Sequence, residues 1–149
     1  MRLLSAAGIS YTVKEYQVDE SDLSAVHAAE SLGMPAEQVF KTLVLQGSSG
    51  PFFVCCIPAA CELDLKKAAL AAKEKSIGLI PMKDILPLTG YVRGGCSPVG
   101  MKKQFPTFID ETAQLFDAIS VSAGERGVQV IVSPEELAEF LNANFADLV

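Results

Sequence analysis

A lysine lies inside an apolar run at V-F-K-T-L-V-L, residues 39–45. Period-two alternation puts Phe40, Thr42 and Val44 on one face of a strand and Val39, Lys41, Leu43 and Leu45 on the other. An ammonium group among such neighbours must snorkel to water, pair, or point into a cleft that binds an anion; burial without a partner would lower its pKa. A second pair of cations, Lys66 and Lys67, falls in the first turn of a predicted helix with Asp64 as N-cap. Cations there oppose the positive end of the helix dipole by about 0.3–1 kcal/mol each. Either an anionic partner explains them, or Leu65, Ala68, Ala69 and Ala72 form the buried stripe and the lysines fill the outside.

The third feature is T-G-Y-V-R-G-G-C-S-P-V-G-M-K-K-Q-F-P-T-F-I-D, residues 89–110. Gly90, Gly94, Gly95 and Gly100, with Pro98 and Pro106, predict a loop whose backbone can approach a ligand closely and present N–H groups to it. Lys102 and Lys103 follow, a combination suited to a sugar-phosphate or an ester carbonyl. The loop is no phosphate-binding P-loop, because G-x-x-x-x-G-K-[ST] is absent, and G-x-G-x-x-G is absent too.

Other chemistries are poorly represented. His27 is the only histidine; it lies in a helical stretch and has no second His with which to build a catalytic or metal cluster. Cys55, Cys56, Cys61 and Cys96 have no zinc-type spacing. Cys55 and Cys56 sit in F-F-V-C-C-I-P, which reads as a buried strand, so one thiol points to each face as a structural residue.

The elements that must position these residues follow from local signals. R-L-L-S-A-A reads as a short helix ended by Gly8, Y-T-V-K-E-Y as a strand, and residues 22–32 as a helix with Ser21 as N-cap and Gly33 as terminator. V-F-K-T-L-V-L-Q and F-F-V-C-C-I-P predict a hairpin across the turn-forming Q-G-S-S-G-P. L-D-L-K-K-A-A-L-A-A-K-E-K and P-M-K-D-I-L read as helices, and T-F-I-D, A-I-S-V-S-A and V-Q-V-I-V as later strands. The last helix has Ser133 as N-cap, Pro134 at the first helical position and Glu136 two residues on, a capping box, and should run to about Asn142. Strands and helices on so irregular a schedule predict an α+β fold with a mixed or barrel-like sheet rather than a doubly wound one.

The chain has 149 residues, half of them hydrophobic and 20% charged, with a mean hydropathy of +0.31. It is long enough for one domain with a real core, and neither disordered nor collagen-like. No linker or repeat divides residues 1–149. No apolar run reaches the roughly 18 residues of a membrane span, and the N-terminal stretch turns polar too early for a signal peptide, so a soluble cytoplasmic protein is expected. The net charge of −6 argues against non-specific coating of nucleic acid. That charge is uneven: residues 41–103 carry nine basic and four acidic side chains, the rest three and fourteen. A nucleic-acid contact should therefore be a local patch in the middle of the chain.

F-K-T-L-V, E-L-D-L-K-K-A-A, T-G-Y-V-R-G-G-C-S-P-V-G-M-K-K-x-x-P-T-F-I-D and V-S-A-G-E-R-G, in that order and spacing, resemble the YbaK/EbsC family of freestanding Cys-tRNA(Pro) deacylases. The resemblance runs over nearly the whole chain, from K-E-Y to the final A-x-F-A-D. That family is related to the editing domain of bacterial prolyl-tRNA synthetase, which implies a mixed barrel-like β-sheet surrounded by helices. It also implies editing in trans. Selection by binding distinguishes a methylene by only about 1–3 kcal/mol, so a second hydrolytic site removes cysteine mischarged onto tRNA(Pro). In this family the thiol of the substrate is thought to attack its own ester carbonyl, leaving the protein to position the ester and stabilise the oxyanion.

Carried over residue by residue, the resemblance implies that Lys41 holds the ester near the terminal adenosine. The glycine motif falls on Gly94, Gly95, Cys96, Ser97 and Pro98, with the N–H groups of Gly94 and Gly95 near the reacting carbonyl. Tyr16 becomes a wall of the amino-acid pocket; Ser122, Gly124 and Arg126 line the same cleft; Lys66, Lys67, Lys102 and Lys103 face the tRNA. The implied partners are the acceptor end of mischarged tRNA(Pro) and prolyl-tRNA synthetase, with no membrane, DNA, cofactor or metal. Two positions depart from the family. Gln129 stands where relatives often have an acid, and Cys96 where a branched aliphatic is common, acting either passively or as a nucleophile. Competing readings are a water-using deacylase of Ala-tRNA(Pro) or another aminoacyl-tRNA, and a non-catalytic module that binds tRNA or a synthetase.

Overall fold

The computed structural model describes residues 2–149. In chain order the elements are α1 (Arg2–Ala6), β1 (Tyr11–Glu15), α2 (Ala25–Leu32), β2 (Phe40–Gly47), β3 (Phe52–Pro58), α3 (Leu65–Ala72) and β4 (Ile77–Leu79). Then follow α4 (Ile85–Thr89), β5 (Thr107–Asp110), β6 (Ile119–Ser122), β7 (Val128–Val132), α5 (Pro134–Leu141) and β8 (Asn144–Ala146).

The predicted hairpin forms. β2 and β3 pair antiparallel from Phe40 opposite Pro58 to Gln46 opposite Phe52. Gly50, at φ 110°, supplies the left-handed residue its turn requires. β4 pairs antiparallel with the far end of β2, and β5 and β8 add in parallel beyond β3, giving the order β4-β2-β3-β5-β8. A second sheet, β1-β7-β6, is antiparallel throughout. The sheets touch through a parallel bridge between Val39 and Ser120. The α+β expectation holds, but the sheet is not closed into a barrel: two open sheets share one seam.

Alternation in the hairpin separates two cores. Phe40, Val54 and Cys56 pack with Ile109, Val121, Val130 and Val132 and with Leu137 and Leu141 of α5. Leu45, Phe53, Cys55 and Ile57 pack beneath Ala68 and Ala69 of α3. Each large apolar side chain so buried contributes about 1.5–3 kcal/mol. Cys55 and Cys56 thus face opposite cores, as the sequence predicted, and burial pushes both thiols up to about 12.

Three helix starts show how local the capping signal is. Asp64 caps α3 by accepting from the Lys66 and Lys67 N–H groups, and Ser133 caps α5 by accepting from the Glu136 N–H ahead of Pro134. α2, however, begins after Ser24, not Ser21. The Ser21 hydroxyl and N–H both donate to Asp19, and the Ser24 N–H donates to Asp22. These Asx turns hold residues 19–24 out of the helix. β4 and β8 carry no sequence signal of their own, being three-residue strands defined by the partners they meet.

Candidate active site

β4 covers β2 only at Leu45–Gly47. The Ile80 N–H donates to the Val44 carbonyl, and beyond it the edge of β2 from Val44 back to Val39 opens onto a cleft of about 500 Å³. Residues 21–28, residues 79–85 and the glycine loop at Arg93, Gly94 and Cys96 wall it. At the seam, two residues beyond the Val39–Ser120 bridge on each chain, Lys41 and Ser122 both line it. The cross-strand partner of Ser122 is Gln129, which also lines it.

Lys41 therefore occupies a cleft, and it is half-buried. Its Nζ donates to the Ala59 carbonyl at 3.1 Å, which fixes the ammonium without neutralising it and leaves two N–H bonds for a ligand. Arg93, exposed at the mouth, is the cleft's other cation. Asp22 is the only carboxylate lining it among the described residues. The Ser24 hydroxyl and N–H hold that carboxyl below the usual aspartate range, making it a weak base. Burial pushes the Cys96 thiol up to about 11, opposed by its hydrogen bond with Thr89; it is a neutral thiol at physiological pH. Among the described residues no three His, Cys, Asp or Glu are grouped to share a metal ion.

The glycine motif divides into a face and a support. Gly94, at φ 84°, faces the cleft, and its N–H makes no backbone hydrogen bond among the described residues. The expectation for Gly95 is corrected. Its N–H is taken up by the Val92 carbonyl at 3.0 Å, and it packs against backbone: a Cβ there would lie 3.1–3.2 Å from Arg126 N, Glu125 C and Glu125 Cα. Ser97 is buried and accepts from the Val99 N–H, and Pro98 is buried beside it; neither lines the cleft.

Of the V-S-A-G-E-R-G block only Ser122 lines the cleft. The Gly124 N–H donates to Ser122 Oγ at 3.2 Å. Arg126 stands behind the wall: its Nε donates to the Arg93 carbonyl at 2.8 Å and its Nη1 pairs with Glu20 at 3.3 Å. It thus braces the glycine loop and the strap before α2 together. Tyr91, which sequence reasoning missed, donates its hydroxyl to the Val99 carbonyl; that hydroxyl lies so close to Gly100, and the ring so close to Gly124, that neither glycine leaves room for a Cβ. Its place in T-G-Y-V-R was the available signal.

Tyr16 joins the cleft from the strap after β1. The remaining lysines stand elsewhere. Lys67 Nζ pairs with Asp147 at 3.1 Å and with the Val149 carbonyl, so its anionic partner is the C-terminal segment of the chain itself. Lys66, Lys102 and Lys103 are exposed and lie outside the cleft lining. The residues missed at the mouth are apolar: Leu79, Met82 and Ile85, the first two more than half exposed.

Residues 20–140 match the aminoacyl-tRNA editing domain family. The chain is 45% identical over 148 residues to EbsC of Enterococcus faecalis, covering 99% of this chain and 90% of that protein, whose name proposes a Cys-tRNA(Pro)/Cys-tRNA(Cys) deacylase. It superposes with a TM-score of 0.84 and 26% identity on a crystal structure described as that of a proposed trans-editing enzyme for prolyl-tRNA synthetase, over 99% of this chain and 92% of that one. The structure of APE2540, a hypothetical protein, shares the fold at TM-score 0.89 and 23% identity, over 99% and 96% of the two chains. With three of its four motifs contributing residues to one cleft and most of its length matched, the chain belongs to the aminoacyl-tRNA editing domain family.

Proposed function

We propose that the protein is a trans-editing deacylase that removes cysteine from mischarged tRNA(Pro). The observation that carries this reading is the composition of the cleft. It holds a fixed ammonium at Lys41, a glycine N–H at Gly94 and a largely apolar wall, but the protein's own thiol is kept neutral and its one carboxylate is a weak base. Such a site orients an ester and stabilises negative charge while bringing no strong nucleophile.

In the proposed reaction the cysteinyl thiol loses its proton to solvent and the sulfur attacks the ester carbonyl carbon. The carbonyl oxygen becomes an oxyanion, against which Lys41 and the Gly94 N–H are placed. The bond to the ribose oxygen then breaks, that oxygen takes up a proton, and a ring of sulfur, carbonyl carbon, Cα and Cβ departs as a thiolactone. Tyr16, Cys96 and Ser122 wall the amino-acid pocket, with Cys96 passive. Gly95, Ser97, Pro98, Gly124 and Arg126 hold the loops that present it. Lys66, Lys102 and Lys103 are available to the tRNA backbone, and prolyl-tRNA synthetase, the source of the mischarged tRNA, is the proposed protein partner.

The test is release of labelled amino acid from Cys-, Ala- and Pro-tRNA(Pro) by the parent and by Lys41→Ala. The reading expects cleavage of the cysteinyl ester alone and none above background by the variant. Equal release of alanine would replace the thiol mechanism with attack by water. No release from any of the three would leave a binding module.

A further inference from the structure

Gln129 is 94% buried, and its carboxamide is held one way round. Its Oε1 accepts from Ser120 Oγ at 2.8 Å, and Ser120 is wholly buried. With the amide turned over, Nε2 would donate to Ser120 Oγ and the buried hydroxyl proton, which has no other acceptor among the described residues, would lose its partner. Nε2 makes no hydrogen bond to the protein among the described residues, yet none of their buried side-chain polar atoms lacks a partner. This nitrogen therefore reaches the open space that Gln129 lines. The result is a neutral donor, rigidly aimed into the cleft and unused by the fold.

Depth indicates what it meets. Gln129 and Ser122 are the two buried polar residues of the cleft lining, whereas Lys41 and Gly94 are only half-buried. An aminoacyl ester enters by its ribose end last, so its carbonyl stays level with Lys41 and Gly94 and its side chain extends furthest inward. Resting on the deacylase reading above, we propose that Gln129 Nε2 donates a hydrogen bond to the sulfur of the bound cysteinyl group, stabilising its thiolate and selecting a side chain that carries an acceptor. The need for such a donor is visible in the protein's own thiol: burial in this cleft pushes Cys96 up to about 11, and a substrate thiol meets the same desolvation. A carboxylate at residue 129 would oppose the thiolate, whereas an amide favours it. The titratable and charged groups around the donor are Lys41 from β2, Tyr16, Asp22, Arg93 and Cys96 across the cleft, and Lys14, its register partner on β1. An alanyl side chain offers no acceptor and leaves Nε2 unpaired, the arrangement by which polar sites discriminate most strongly.

The test is the pH dependence of Cys-tRNA(Pro) deacylation by the parent, Gln129→Met and Ser120→Ala, after subtraction of the uncatalysed rate and with folding checked by thermal melting. A hydrogen bond to a charged group implies a rate about ten- to a hundredfold lower for Gln129→Met at neutral pH, converging on the parent as pH rises through the thiol range. Ser120→Ala, which only frees the amide to turn, should shift the profile the same way by less. A 3′-amide analogue of cysteinyl-adenosine, which cannot be cleaved, gives a second readout: its bound thiol should titrate about one to two pH units higher in Gln129→Met than in the parent. Coincident profiles from an active parent, or a loss equal at every pH, would overturn the assignment of Gln129 alone. A parent inactive on Cys-tRNA(Pro) at every pH would overturn the deacylase reading and this inference with it.

Discussion

Replacing Gly95 with alanine tests whether the glycine motif works by close packing at this position. Gly95 has no positive φ to preserve, so a methyl group brings no conformational strain and acts only through its contacts. Those contacts are three backbone atoms of residues 125 and 126 at 3.1–3.2 Å, a few tenths of an ångström inside comfortable van der Waals distance. Backbone cannot swing aside as a side-chain tip can, so the glycine loop and the loop at 124–127 must separate. Overpacking of this kind costs about 1–3 kcal/mol, or roughly 2–12 °C in Tm for a chain of this size. Separation also pulls Arg126 Nε from the Arg93 carbonyl, now at 2.8 Å, and with it the wall that carries Gly94 and Cys96. Calorimetry and single-turnover deacylation of Cys-tRNA(Pro) read the two effects together. Gly95→Ala should melt lower and lose most of its activity, while Gly8→Ala, strained at φ 75° with nothing within 4 Å of its Cβ, should lose stability alone. A Gly95→Ala protein with parental Tm and parental turnover would refute the reasoning.

Further outcomes follow from single groups. Asp110 is wholly buried and accepts from the Leu148 N–H at 2.9 Å and from the Thr112 N–H and hydroxyl, so Asp110→Ala should cost at least about 3 kcal/mol in urea denaturation and release the C-terminal residues to proteolysis. At pH 8 Cys96, lifted to about 11, is ionised to roughly one part in a thousand; mass spectrometry after brief alkylation should find it unmodified, with labelling rising as pH rises toward that value. The Ser49 hydroxyl and N–H hold the Glu74 carboxyl below its ordinary value. A depressed carboxylate stabilises above its unfolded pKa and loses that contribution as pH falls through the folded one. The Tm gap between the parent and Glu74→Gln should accordingly be widest near neutrality and close as pH falls below the ordinary glutamate range. Ser133→Ala should cost about 1 kcal/mol by removing the α5 cap, measured by chemical denaturation.

Most of what depends on neighbours in sequence was legible in the sequence. The hairpin of β2 and β3, the caps of α3 and α5, the opposed faces of Cys55 and Cys56 and the family motifs all rest on spacing within a few residues. That is the range over which turn chemistry, capping and alternation act. Ser21 and Ser24 mark the limit of such signals: both are good caps, and the choice between them was made by Asx turns the alternation does not reveal. What the tertiary structure decided are the meetings. β4 and β8 exist because longer strands present edges to them, and the cleft exists because β4 is too short to cover β2. Lys67 found its anion at Asp147, 80 residues away. Gly95 and Arg126 became supports rather than contacts because the loops carrying them pack back to back. The direction of the Gln129 amide was set by the one buried hydroxyl that needed its oxygen. Residue type fixes which interactions a group can make; which of them it makes depends on distances that only the packed chain establishes.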